Sequence, residues 1–324
     1  MIDRRDCLLG GLGLVAYPVL WAAAEWPIHQ PIKVVVPFSA GGAADILTRQ
    51  LCDKLSGKLG AQFVVENKTG AGGNIGMEAV KSAQADGYTL ASATVGTLAI
   101  NPYLFAKLNY DPAADFIPVS LIWENCNVFV VSAQHPAKSV AEFLAWAKKQ
   151  SKGVNFASSG VGTTPHLAGE LFKVRTGVHA EHIPFRGASQ SMPALIGGDV
   201  DFAIDNIASY FPMIKAGKVR ALAITANERW PTLPEVPTMA EVKVPDFIIT
   251  SWGAFVMPKG TPMAIVNRLS SAIQGVMADA TMKQRFMDSG AHAVSSTPAE
   301  TVAFADQERK KWRAMVKLSG ATAE

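Results

Sequence analysis

IKVVVPFSAGGAADILTRQL, residues 32–51, contains a strand, a tight turn and the start of a helix in one passage. Ile32 to Val36 is rich in β-branched residues and stops at Pro37, which cannot donate to a ladder, so it reads as a buried strand. Beyond the turn, Ile46, Leu47, Leu51 and Leu55 recur at helical spacing. Between them, Phe38-Ser39-Ala40-Gly41-Gly42-Ala43-Ala44-Asp45 places several unpaired backbone N–H groups at a positive helix end. Gly41 and Gly42 let backbone approach a ligand with no Cβ in the way. The fragment by itself reads equally as an ordinary βα connection or as an anion cradle. Asp45, in the first helical turn, is better suited to a cap or dipole partner than to a catalytic acid.

The same unit recurs along the chain. Strands are expected at Phe63–Glu66 and Thr89–Ala93, with a helix over about Asn74–Gln84. A further strand spans Phe129–Ser132, and Ser139-Val-Ala-Glu142 has the capping-box spacing that starts a helix through Lys149. A second series follows: strands at 154–157, 180–183, 200–204 and 220–225, with helices at 167–175, 189–196 and 209–215. Four prolines between Trp230 and Pro245 mark irregular chain. A strand at Trp252–Met257 and helices at Met263–Met277 and from Ala299 to about Leu318 close the sequence. Such alternation indicates an α/β fold with largely parallel strands. The last segment has too little strand for a sheet of its own, so it is expected to return to the first lobe. The expected division is residues 25–129 as the first part of lobe 1, 130–250 as lobe 2 and 251–324 as the rest of lobe 1. Two crossings, near Phe129 and Ser251, would then form a hinge.

With 324 residues, 49% apolar and 18% charged, the chain is globular and long enough for two lobes. Residues 1–24 read as an export signal: Arg4 and Arg5, an apolar run from Leu8 to Leu20, then Ala22-Ala23-Ala24. Both the general secretory and the twin-arginine routes fit this leader. No later segment reaches the ~18 apolar residues of a membrane span. Loss of the leader removes two acids and two arginines and leaves the net charge at +3, with no basic block that would bind nucleic acid. Cys52 and Cys126 remain, as buried thiols or as a pair in an oxidising compartment.

Other turns share the strand-then-small-residue character. Thr94-Val-Gly96-Thr97 would place hydroxyls and N–H groups beside the first turn, and Ser158-Ser159-Gly160-Val-Gly162-Thr163-Thr164 could supply an opposite jaw. His166 favours packing or capping over catalysis. Arg186, after Phe185, would either pair a carboxylate or sit exposed. Asp205 ends a strand, where open α/β sheets bind ligands. Gly70-Ala-Gly72-Gly73-Asn74-Ile75-Gly76 is spaced wrongly for a dinucleotide fingerprint. No nucleophile elbow, zinc-protease helix or phosphate loop occurs, and His179 and His182 have no partner cysteines, so neither metal nor cofactor is expected.

Seven ordered stretches carry a family resemblance: PFSAGGAADILTR (37–49), VENKTGAGGNIG (65–76), ADGYTL (85–90), INPYLFAKLNYDPAADFIPVSLI (100–122), GTTPHLAGELF (162–172), HIPFRGASQSMPALIGGDVDFAID (182–205) and LAITANERWPTLPEVPTMAE (222–241). Together they resemble the Bug family, the periplasmic substrate-binding proteins of tripartite tricarboxylate transporters. The resemblance implies a two-lobed periplasmic-binding-protein fold of the second type, a Venus flytrap. It further implies a non-enzymatic, monomeric receptor that closes on a small carboxylate (dicarboxylate, aromatic acid or amino acid) and delivers it to a large and a small membrane subunit. A ligand-binding sensor subunit docking on a membrane receptor is the alternative, and an enzyme on the same scaffold is a further one. Carried over by motif, the ligand site comprises Phe38, Ser39, Ala40, Gly41, Gly42, Ala43 and Asp45 with Thr94, Gly96 and Thr97 from lobe 1. Lobe 2 would add Ser158, Ser159, Thr163, His166, Phe185 and Asp205. Family members often carry tyrosine and lysine where this chain has Phe185 and Arg186, and proline where it has Thr69. The more apolar wall at Phe185 would suit an aromatic or less hydroxylated acid.

Overall fold

The computed structural model describes residues 26–27 and 30–323, so the expected leader lies outside the described residues. The first passage folds as its pattern demands: strand β1 (Ile32–Val36), the turn, and helix α1 (Ala43–Leu59), which buries Leu47, Leu51 and Leu55. β2 (Phe63–Asn67) and β3 (Thr89–Thr94) flank β1 in parallel, with α2 (Asn74–Lys81) between them in sequence. A π-helical turn (Gly96–Ile100) leads into the short α3 (Asn101–Leu104).

The second series comprises α4 (Val140–Ala147), β5 (Val154–Ser158), α5 (Thr164–Thr176), β6 (Ala180–Pro184), α6 (Ala188–Gly197), β7 (Phe202–Asn206), α7 (Ile207–Lys215) and β8 (Val219–Ile224). Here β5 lies parallel to both β6 and β7. The chain then returns through β9 (Thr250–Pro258), α8 (Met263–Met277), α9 (Ala280–Asp288), β10 (His292–Ala293) and α10 (Pro298–Ser319).

Three findings correct the sequence reading. The strand expected at Phe129–Ser132 is the end of a 17-residue strand, β4 (Phe116–Ser132). Its first half, through Cys126, pairs with β9, and its second half, from Asn127, pairs with β7 and β8. Secondly, the strands are not largely parallel: β9 runs antiparallel to β3 and β4, and β4 runs antiparallel to β7 and β8. The two parallel series are therefore stitched together by antiparallel strands, in the order β2-β1-β3-β9-β4-β7-β5-β6. Thirdly, α9 and β10 were not expected. α9 is started by the Asp279 carboxylate, which accepts from the Thr281 and Met282 N–H groups, and its core face is only Met282 and Phe286.

One hydrophobic body packs α1 and α8 on the β1 side, and another surrounds Phe129, whose ring meets Phe143, Phe172 and Phe202 at 5.0–5.3 Å between centroids. Edge-to-face and tilted pairs of this kind add to area burial and pin the second half of β4. No helix among the described residues is long and apolar enough to cross a membrane.

Candidate functional site

Four helix starts meet in one cleft. They are α1 at Gly42, α5 at Thr163, α6 at Gly187 and α7 at Asn206, and every one of these four residues lines the cavity. None of the four N-caps has a side chain bonded to its own first turn. Of the helices that start away from the cleft, α4, α9 and α10 are capped by Ser139, Asp279 and Thr297, whereas α2 and α8 begin at Gly73 and Pro262 without a side-chain cap. An uncapped start leaves backbone donors and a positive dipole end available to an anion. No charged side chain is among the described residues lining the cleft, so the groups it offers an anion are N–H groups and hydroxyls.

The first turn is held from behind. Asp45 accepts from the Gly41 N–H at 3.0 Å, from Arg49 Nε at 2.9 Å and from Asn67 Nδ2 at 2.9 Å, and the same Asn67 amide donates to the Phe38 carbonyl. Burial opposes the charge on Asp45, but the bonds from Arg49, Gly41 and Asn67 outweigh it and hold the carboxyl below its ordinary range. Gly41 has φ +79°, open to glycine and strained for other residues, whereas Gly42 has an ordinary φ of −83° and meets the cleft with its bare Cα.

Of the residues singled out in the sequence, Phe38, Ser39, Gly42, Ala43, Thr94, Gly96, Ser159 and Thr163 line the cleft. The others stand behind it or outside it. Ala40 and Gly41 are exposed on the outer side of the turn, and Asp45 braces it. Thr97 is fully buried and turns its hydroxyl to the Thr94 backbone, accepting from its N–H and donating to its carbonyl. Asp205 is wholly buried and receives the Ser159 hydroxyl at 2.6 Å and the Asn206 N–H at 2.6 Å; burial pushes its pKa up to about 6 against those bonds. Its role is to orient Ser159, which does reach the cleft. Phe185 is absent from the lining, and the wall expected there is made by Gly187 and Ala188; Arg186 is exposed.

Among the described residues, Ser158 and His182 form an arrangement that resembles a nucleophile and base, with Oγ and Nε2 2.6 Å apart. Ser158 is fully buried and lies outside the cleft lining. The His182 ring is sandwiched between Phe156 at 4.8 Å and His166 at 4.2 Å. Desolvation lowers the pKa of His166 to about 4 and that of His182 to about 3, the second also repelled by His166. Two stacked neutral imidazoles sealed from the cleft are core furniture, and His166 spends its Nδ1 as acceptor for the Gly162 N–H. Cys52 and Cys126 are free, buried in different clusters, with thiols pushed up to about 12 by burial.

Trp123, Asn206, Ser209 and Ser251 also line the cleft and were missed. Trp123 and Ser251 sit on the paired halves of β4 and β9, so only tertiary pairing brings them to the cavity. Across the cleft, the Ala43 N–H donates to Ser209 Oγ at 2.9 Å and Ser189 Oγ donates to Ser39 Oγ at 3.1 Å. A Cβ on Gly96 would sit 2.9 Å from the Gly162 carbonyl oxygen. The two sides are in contact, leaving about 50 Å³ of free space, room for roughly three to five waters at 10–15 Å³ each. Trp123 Nε1 and Asn206 Oδ1, one donor and one acceptor, are buried without a protein partner among the described residues.

The chain matches the family model described as "Tripartite tricarboxylate transporter family receptor" over residues 47–321. It is 35% identical over 308 residues to Protein BugT of Bordetella pertussis, covering 95% of this chain and 94% of that one. Among solved structures it is similar to R. palustris Rpa4515 with adipate, with a TM-score of 0.89, 34% identity, and 92% and 99% of the two chains covered. MatC from Rhodopseudomonas palustris with bound malate gives 0.84 and 32%, covering 90% and 100%.

Proposed function

Because the chain belongs to the tripartite tricarboxylate transporter receptor family, we propose that it is an extracytoplasmic solute-binding protein whose cleft captures a small carboxylate. The observation that carries this reading is the convergence of four helix starts without side-chain caps on a cavity lined by no charged residue. A carboxylate would take backbone donors at the start of α1, displacing Ser209 from the Ala43 N–H, and hydroxyls such as Ser159 and Thr163 would complete its shell. The unmatched Trp123 N–H and Asn206 Oδ1 favour a ligand with a second polar end. Adipate and malate, held by the two similar proteins, have that character.

The cavity of about 50 Å³ is too small for such an acid, so the ligand enters with the lobes apart and the contacts between Ser39 and Ser189 re-form around it. Flexing is assigned to the crossings at Cys126–Asn127 in β4 and at the start of β9, where the chain changes partners. The leader in residues 1–24 would direct the protein to the periplasm, where it acts as a monomer and hands its load to a large and a small membrane subunit. No catalytic step is assigned to it, since the Ser158–His182 pair is sealed from the cleft.

Thermal unfolding against a panel of mono-, di- and tricarboxylates and amino acids tests the reading. One acid should stabilise the protein by about 2.7 kcal/mol at a hundred times its dissociation constant. A panel without any upward shift in Tm would refute it.

A further inference from the structure

The crossing strands carry a second cavity on another side from the cleft. β4 and β9 alternate their side chains: Trp123 and Ser251 line the cleft, while Glu124 and Trp252, register partners, line a groove of about 490 Å³. Its remaining walls come from both lobes. Trp230 follows β8, whereas His292, Phe304 and Glu308 belong to β10 and α10.

Four aromatic rings line this groove. Trp252 meets Phe304 edge-on at 5.1 Å, and Trp230 packs on His292 at 4.6 Å. Three carboxylates, Glu124, Glu228 and Glu308, line it with too few cations, Glu228 at its exposed rim. Glu308 accepts from the indoles of Trp252 and Trp312 at 2.8 Å and from Lys311 at 3.1 Å, so its shell is filled. Glu124 is half-buried and has neither an ion pair nor a hydrogen bond among the described residues. Desolvation, then repulsion from Glu308, raises its pKa, with Lys311 only partly opposing. The other cation of the groove, Arg229, is engaged by Glu241 through Nε and Nη2. Partial desolvation lowers the pKa of His292 and so favours its neutral form. Trp230 is 4% exposed, and its indole N–H has no acceptor among the described residues.

An unpaired carboxylate beside indole and phenyl side chains is chemistry that suits an organic ammonium, which draws on charge and on ring quadrupoles. The Trp230 N–H, buried at the groove wall without an acceptor among the described residues, would gain one from an oxygen on the same molecule if the wall gives way to it. We propose that this groove behind the hinge is a binding site for a small amino alcohol cation, distinct from the carboxylate cleft. Because its walls belong to both lobes, occupancy is linked to closure, and the coupling is reciprocal between the two sites.

The test uses the purified full chain, free of leader, with tryptophan fluorescence and calorimetry as readouts and choline and ethanolamine as probes. The neutral choline isostere 3,3-dimethylbutan-1-ol is the control. Choline or ethanolamine should bind saturably, the neutral isostere at least tenfold more weakly, and Glu124→Gln should weaken the cation at least tenfold while unfolding cooperatively. A second variant, Trp230→Phe, keeps a ring and removes the N–H, and should weaken the hydroxylated cations more than tetramethylammonium. Absence of saturable cation binding, equal binding of the neutral isostere, or unchanged affinity in Glu124→Gln would each overturn the proposal. None of these outcomes depends on which acid the cleft takes.

Discussion

His166 and His182 illustrate how a residue's chemistry is decided by its surroundings. Each imidazole is depressed because burial disfavours its charged form, to about 4 and about 3. A base with a lowered folded pKa contributes stability above its unfolded pKa, near 6.5, and loses it as pH falls toward the folded value, because the unfolded chain then binds more protons. Asp205 acts oppositely: its raised pKa of about 6 makes the folded state hold a proton the unfolded chain has released, so acidification from pH 7 to 5 relieves it. At ~1.4 kcal/mol per unit, each histidine costs about 2 kcal/mol at pH 5 and Asp205 returns about 1. Urea unfolding should therefore show a net loss of about 3 kcal/mol between pH 7 and 5, and His182→Phe should reduce it to about 1 kcal/mol. An identical loss in the variant would show that the stacked pair is not its source.

At the scale of elements, legibility in the sequence followed the strength of the local pattern. α8 was readable to both ends, Met263–Met277, because Ile265, Val266, Leu269, Ile273 and Val276 repeat at helical spacing. β4 was readable only in its last residues, since Pro118, Glu124, Asn125 and Asn127 interrupt the apolar run of a strand that serves both lobes. α9 buries just Met282 and Phe286, too few to declare a helix. The turn at Ser39–Gly42 stood out because strand, glycines and helix are contiguous, and its neighbours Thr94 and Thr163 share that form. Trp123, Asn206, Ser209 and Ser251 did not stand out, because only strand pairing and helix placement bring them to the cavity. The second half of β4 depends on the aromatic cluster around Phe129. Phe129→Ala should cost about 3–5 kcal/mol in denaturant unfolding, the range for deleting a buried ring. A cost under 1 kcal/mol would remove that cluster from the scaffold's support.

At the scale of the whole molecule, two parallel βα series present their helix starts to each other across antiparallel crossing strands. On the proposed reading, a cleft made of backbone donors would recognise the carboxylate shared by many metabolites, and the residues that close over it would choose among them. Gly42 separates these functions experimentally. Its φ of −83° accepts any side chain, and a Cβ there would meet only the Ser39 carbonyl oxygen at 3.5 Å, so Gly42→Leu should fold as the parent does. The leucine side chain would nevertheless occupy the space in front of the α1 start, where the anion is expected to sit. Calorimetric titration of the parent protein and Gly42→Leu with the acid that most raises Tm is the most direct measurement. Saturable binding by the parent and at least a hundredfold loss in the variant, with its far-UV spectrum unchanged, is the predicted result, whereas equal affinity in the two proteins would contradict carboxylate capture at the helix starts.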